Sequence, residues 1–141
     1  MIFGKGERVL FFRFEDGEDF IHTLVHTLTE NNLDSLVVIS GIGMLRDFEI
    51  GWYNVSKKQY EKEMISVPHE LIHISGNVSS KGGFPFPHLH VALAGPSRSA
   101  VGGHLFAGTV CNTTELFAVR TGDLKLIRDA SGAATPLEFR K

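Results

Sequence analysis

Residues 88–108, HLHVALAGPSRSAVGGHLFAG, carry the clearest structural pattern in the chain. Two apolar, β-prone runs lie on either side of the turn residues Gly95–Ser99, which is the pattern of a β-hairpin. Pairing Ala94 with Ala100 places the apolar side chains of both runs on one face of this hairpin. A slip of one residue would mix apolar and polar side chains on each face, so burial disfavours it. The sequence therefore predicts a single register.

The same register collects three histidines on the opposite face. His88 and His90 lie about 6.6 Å apart along their strand, at about 3.3 Å per residue, and His90 faces His104. Three imidazole nitrogens on a rigid sheet suit a divalent transition metal, of which zinc is the first candidate. One coordination position would then be open to water or a ligand. The alternative is a solvated face, or an oligomer seam, without a metal. Glu70 and Glu115 are the carboxylates expected to reach such a site as neighbours of its ligands.

The rest of the chain predicts an α+β domain, a mostly antiparallel sheet of about eight strands with one main helix. Phe20, Leu24 and Leu28 recur at helical spacing, and Asp16 or Asp19 is expected to cap the helix.

Separate strands are expected at Ser35–Ser40 and Met44–Tyr53, and again at Gly102–Val110 and Glu115–Thr121. A charged stretch, residues 56–61, is expected to be a hairpin turn.

Composition limits the class of protein. The 141 residues suit one domain, and Lys+Arg 14 against Asp+Glu 16 gives a net charge of −2, which argues against a strongly basic nucleic-acid binder. A single cysteine, Cys111, excludes an internal disulfide framework and a CxxC site. No apolar run approaches the roughly 20 residues of a membrane helix, and a cytoplasmic protein without membrane contact is expected.

Two motifs resemble those of known enzymes but are interpreted as structural. Residues 69–73 spell HExxH, a zinc-protease motif that requires a helix; Pro68 before it and the β-branched residues after it favour a strand. Gly41-Ile42-Gly43 follows an apolar strand, but no helix follows to bind a pyrophosphate, so a tight turn or bulge is expected. His22 and His26, four apart on the helix, are expected to be solvated.

Four segments then occur in a familiar order and spacing: VISGIGML (38–45), ELIHISGNV (70–78), HLHVALA (88–94) and VGGHLFAG (101–108). Together they resemble the PPC domain, the plant and prokaryote conserved domain. The resemblance covers residues 8–128 and leaves a tail, 129–141, that is expected to fray or to dock on a neighbouring molecule.

The resemblance implies a barrel-like, largely antiparallel sheet assembled as a homotrimer. It also implies a metal bound by the histidines of HxH and the following GGH, which here are His88, His90 and His104.

Three functions are compatible with these observations. The first is a metal-binding module with a ligand-binding or assembly role, with a possible small-molecule ligand at the metal. The second is a metal-dependent hydrolase or lyase acting on a small polar substrate. The third is a DNA-binding, transcription-related protein, although nucleic-acid binding is not expected of the isolated domain. The cations that would serve the third function are Arg46, Lys57, Lys58, Lys62, Lys81 and Arg98.

Overall fold

The computed structural model describes residues 1–129 and 135–141. In chain order its elements are β1 (Ile2–Lys5), β2 (Val9–Glu15), α1 (Phe20–Glu30), β3 (Leu36–Asn54), β4 (Gln59–Ile65), β5 (His69–Lys81), β6 (Phe84–Ala94), β7 (Ala100–Arg120), β8 (Lys125–Ile127) and β9 (Glu138–Arg140). Over these residues the chain forms one nine-stranded sheet and one helix. The predicted strand-rich fold with a single main helix is therefore confirmed.

The sheet is mixed but mostly antiparallel. Among the strands of the described residues, only β5 and β8 pair in parallel, through Ser80 and Ile127. Strand β3 pairs with β5 and with β7, and β6 pairs with the same two strands. These four strands therefore form a closed ring of hydrogen-bonded neighbours, and this ring carries the histidine hairpin.

Strand β3 is continuous where the sequence predicted two strands. Its pairing with β7 shifts register between Gly43 and Leu45, and Gly43 has a φ of +141°. A Cβ at Gly43 would lie within 2.3 Å of the Thr113 carbonyl oxygen, so glycine lets the two backbones approach. The predicted turn or bulge at residues 41–43 is therefore a bulge, which bends the strand without ending it.

Strand β7 is also continuous where two strands were predicted. Asn112, at φ +65°, lies at the point where the prediction placed a break. Its backbone N–H donates to the Asp16 carboxylate at 2.8 Å, a contact between residues 96 positions apart. This long-range bond supports the irregular backbone within the strand.

The helix matches its predicted pattern. Asp19 caps α1 and accepts a hydrogen bond from the His22 backbone N–H at 2.9 Å. The face formed by Phe20, Leu24 and Leu28 is buried against the sheet. Within the described part of the chain no helix is long and apolar enough to span a membrane.

The C-terminal residues contact their own chain. Strand β9 pairs antiparallel with β8: Lys125 lies opposite Arg140, and Ile127 lies opposite Glu138. The expectation of a frayed or neighbour-docked tail is therefore wrong for residues 138–140, because β8 offers them an open edge. Residues 130–134 of the predicted tail lie outside the described residues.

Candidate metal centre

The hairpin of β6 and β7 has the predicted register. Ala94 pairs with Ala100, and the pairing runs to His90 opposite His104. Leu89 is fully buried on the apolar face. The alternation of side chains along the strands thus turns the histidines away from the core.

The three imidazoles are close enough to share one ion. One ring nitrogen from each of His88, His90 and His104 lies within 4.8 Å of the others. The Nε2 atoms of His88 and His90 are 3.2 Å apart. Tetrahedral zinc, with bonds of about 2.0–2.1 Å, separates its ligand nitrogens by about 3.4 Å. Small rotations of the rings would therefore bring all three into a coordination sphere.

The electrostatics favour neutral imidazoles, which is the form that binds metals. The pKa of His104 is lowered to about 4, chiefly by burial and then by charge repulsion from the neighbouring imidazoles and from Lys62 and Arg128. The pKa of His88 is also lowered, first by burial and then by Arg128. At neutral pH these two rings therefore need not lose a proton to bind a cation.

The donor set fits a divalent transition metal. His104 Nδ1 is buried and has no hydrogen-bond partner. Of the described residues, only His88, His90 and His104 form a group of three or more side chains able to hold a metal. Three nitrogen donors suit zinc and its neighbours in the first transition row better than magnesium or calcium.

A cavity of about 620 Å³ opens beside the cluster. His88 and His104 line it, together with three aromatic rings and two cations, which are Tyr60, Phe86, Phe106, Lys81 and Arg128. The ring centroids of Phe106 and Tyr60 lie 4.4 and 5.1 Å from that of His104. The imidazoles of His88 and His104 therefore lie in the wall of a partly open cavity, whereas His90 is exposed beside it.

Part of this wall was not predicted from the sequence. Tyr60 was expected in a turn but lies on β4, because the strand starts at Gln59 and pairs with β3. Arg128 lies just after β8, and no feature of the local sequence marks it as different from other surface arginines. Its place in the cavity depends on contacts between distant segments.

The two glycines before His104 allow close approach between strands. A Cβ at Gly102 would lie 2.7 Å from the Val91 carbonyl oxygen, and one at Gly103 would lie 2.6 Å from that of Gly51. Because such contacts are too short, glycine at these positions lets three strands approach each other. The glycines therefore position the histidine strand.

The carboxylates expected near the metal lie elsewhere. Glu70 and Glu115 line a separate groove with Ile42 and Thr113. Glu70 pairs with Ala94, four residues along β6 from His90, which corresponds to about 13 Å. The hairpin register set the position of the histidines but could not set the register of β5, which carries Glu70, and Glu115 lies further along the strand that carries His104. The expectation that these carboxylates neighbour the cluster is therefore corrected for a single protomer.

The remaining candidate residues do not join this site. The HExxH segment lies at the start of β5, as its strand interpretation requires. The rings of His22 and His26 lie 6.3 Å apart on an exposed helix face. Cys111 is half-buried and unpaired.

Three of the cations considered for DNA binding already have acidic partners. Arg46 contacts Asp16 at 3.0 Å. Lys57 contacts Glu61 at 2.8 Å and Lys62 contacts Glu49 at 3.0 Å. These ion pairs reduce the positive surface available to phosphates.

Comparison with known proteins identifies the family. Residues 1–121 match the model of the Plants and Prokaryotes Conserved (PCC) domain. A plant- and prokaryote-conserved (PPC) protein from Pyrococcus horikoshii is 31% identical, with a TM-score of 0.80 over 92% of this chain and 89% of its own. A metal-containing protein from Archaeoglobus fulgidus is 35% identical, with a TM-score of 0.74 over 84% of this chain and 82% of its own.

More distant structures share the fold. A candidate DNA-binding protein from Bacteroides thetaiotaomicron has a TM-score of 0.88 over 98% of this chain and 96% of its own, at 20% identity. A comparison with curated proteins gave no match.

Proposed function

This chain belongs to the Plants and Prokaryotes Conserved domain family. We propose that it is a metal-binding module that holds one divalent ion, with zinc as the first candidate, through His88, His90 and His104. The observation that carries the proposal is the convergence of three imidazole nitrogens within 4.8 Å on one rigid hairpin. The metal-containing relative from Archaeoglobus fulgidus, 35% identical, supports it.

The role that we propose for the metal is to bind a small ligand. Three protein donors leave a position of tetrahedral zinc open, and there the ion would act as a Lewis acid toward a ligand atom. His88 and His104 line the adjoining cavity, so a molecule in that cavity lies beside the metal ligands. The protein's own part is to hold the imidazoles of His88 and His104 in their neutral form.

A hydrolase or lyase is the weaker alternative. Such chemistry usually needs a carboxylate base within hydrogen-bond reach of the reacting group. Among the described residues, none of those lining the cavity is a carboxylate, and Glu70 and Glu115 lie in another groove. Tyr60 and Thr135 are the side chains with a hydroxyl in the wall.

We also propose a homotrimer built on an exposed apolar face. Cross-strand pairing aligns Val9, Val37 and Ile42 with the face of β7 that carries Phe117. These side chains are between 42% and 57% exposed, and a contiguous apolar patch of this kind is typical of a protein interface. The ring of paired strands described above supports the barrel-like closure that we propose for the same sheet.

Metal content tests the first proposal. Protein purified without an affinity tag is incubated with zinc, dialysed and measured by mass spectrometry beside the double variant His88→Ala, His90→Ala. We expect about one zinc per chain, lost in the variant. The matched control is His22→Ala, His26→Ala, which removes two exposed histidines of the helix. Absence of zinc from the wild type, or equal zinc in both double variants, would contradict the proposal.

Light scattering after size-exclusion chromatography tests the trimer. We expect a mass of three chains for the wild type and dissociation in Phe117→Asp. Phe84→Asp is the control, because Phe84 is 69% exposed at the tip between β5 and β6. A monomeric wild type, or a trimer that survives Phe117→Asp, contradicts the assignment of this face.

A further inference from the structure

Arg128 is a buried cation without an anionic partner. Its side chain is 6% exposed. Nη1 donates to the Thr135 carbonyl oxygen at 2.6 Å and Nη2 donates to Asn77 Oδ1 at 3.2 Å. The Nε–H group is buried and has no hydrogen-bond partner. Both acceptors are neutral, so the guanidinium charge is not balanced.

No carboxylate of the described residues forms an ion pair with Arg128; Asp129, the next residue, contacts Arg140 at 3.5 Å. Residues 130–134, which follow Asp129, have the sequence ASGAA and contain no acidic side chain. Burial lowers the pKa of Arg128, in keeping with a cation removed from water without an anion beside it. A buried charge without a partner is costly, and such groups commonly mark a binding site.

The surroundings indicate what would balance the charge. Arg128 lines the same cavity as His88 and His104, and Lys81 adds a second cation to its wall. The aromatic rings of Phe86 and Phe106 provide apolar wall on the same cavity. A volume of about 620 Å³ lies within the range of about 300–1,000 Å³ that is usual for small-molecule sites.

We propose that this cavity binds a small organic carboxylate, whose carboxylate group pairs with Arg128 and whose apolar body lies against Phe86 and Phe106. The planar guanidinium matches a carboxylate in shape and can donate two parallel hydrogen bonds to it. The aromatic wall favours a carboxylate with a ring or hydrocarbon body over inorganic phosphate. The proposal names a class of ligand for the ligand-binding role proposed above. It rests on that proposed function only in that a ligand held by Arg128 would lie beside the proposed metal.

Titration calorimetry with benzoate tests the carboxylate site on the full chain. The protein is first treated with a chelator, so that benzoate cannot bind through a metal. Benzyl alcohol is the neutral analogue of similar size, and inorganic phosphate tests whether any small anion suffices. We expect benzoate to bind, benzyl alcohol to bind at least about tenfold more weakly, and phosphate to compete poorly.

Variants then assign the site. Arg128→Gln should weaken benzoate binding by about tenfold to a hundredfold, since it removes a charge-assisted hydrogen-bond donor. Arg98→Gln is the matched control, an exposed arginine of the loop between β6 and β7. Circular dichroism establishes that each variant is folded. If Arg128→Gln does not fold, Arg128→Lys keeps the charge, and the comparison of benzoate with benzyl alcohol on the wild type still decides the question.

Four results would overturn the inference: no benzoate binding, equal binding of benzyl alcohol, tighter binding of phosphate than of benzoate, or unchanged benzoate affinity in Arg128→Gln. Loss of the oligomer in Arg128→Gln without benzoate binding would show that a carboxylate of a neighbouring copy occupies the site.

Zinc content, measured on portions of the same preparations that are incubated with zinc and not treated with the chelator, separates this inference from the proposed function. Benzoate binding without zinc binding would support the carboxylate site and contradict the proposed metal site. Zinc binding without benzoate binding would support the metal site and contradict the carboxylate site.

Discussion

Gly76 connects the backbone of the sheet to the proposed metal ligands. It lies on β5 opposite Leu89 and has a φ of +148°. A Cβ at this position would lie 2.0 Å from the carbonyl oxygen of His88 and 3.0 Å from the Cα of Leu89. The substitution Gly76→Ala therefore places a methyl group against the backbone that carries His88.

The size of the effect follows from these distances. Real Cβ atoms essentially never approach another heavy atom closer than 3.0 Å, so the His88 carbonyl must move by about 1 Å. Metal–ligand distances tolerate only about 0.2 Å. Overpacking and the unfavourable φ together cost about 2–5 kcal/mol of unfolding free energy. We expect zinc affinity to fall by at least about 10–100-fold, which is typical when the support of a ligand is disturbed.

The assay combines urea unfolding with a competitive zinc titration. Gly82→Ala is the control, because Gly82 also has a positive φ, +59°, but nothing lies within 4 Å of its would-be Cβ. The unfolding free energy of that variant should fall only by the cost of placing alanine in a left-handed conformation, about 1–2 kcal/mol, and its zinc affinity should be unchanged. Equal zinc affinities in Gly76→Ala and Gly82→Ala would show that Gly76 does not position the metal ligands.

Two further substitutions test the core and the electrostatics. Leu93→Ala removes a fully buried side chain from the apolar face of the hairpin. It should lower the unfolding free energy, measured in urea, by about 2–5 kcal/mol and leave the zinc stoichiometry unchanged. A loss below about 1 kcal/mol would contradict the burial of this side chain. Asp16→Asn should lower the urea midpoint at pH 7, because hydrogen bonds from the Asn112 N–H and from Arg46 hold the Asp16 pKa below its ordinary value of 3.8. A lowered folded-state pKa stabilises the fold above the unfolded value, and that contribution is lost as the pH falls through the folded value. The difference between wild type and variant should therefore shrink below about pH 3.8, and an equal difference at pH 7 and pH 3 would contradict the assignment.

The histidine cluster could be predicted because its geometry is local. His88, His90 and His104 lie on two strands joined by a five-residue turn, residues 95–99, and apolar alternation allows one register. A slip would bury the histidines and expose Leu89, and burial alone excludes it. The helix was predictable for the same reason, since its apolar period and its cap at Asp19 lie within a few residues of each other.

Local sequence patterns were thus enough to predict the family, the helix and the face that carries the three histidines. Tertiary structure decided what surrounds them: Arg128 and Tyr60 come from segments on either side of the hairpin and meet it only through the pairing of β3, β5 and β8. It also placed Glu70 opposite Ala94, four residues along β6 from His90, in a register that no local pattern of the sequence indicates. The alternation of side chains along a strand determines which face of the sheet a residue occupies. Which residue of a neighbouring strand lies opposite it depends on contacts between segments distant in sequence.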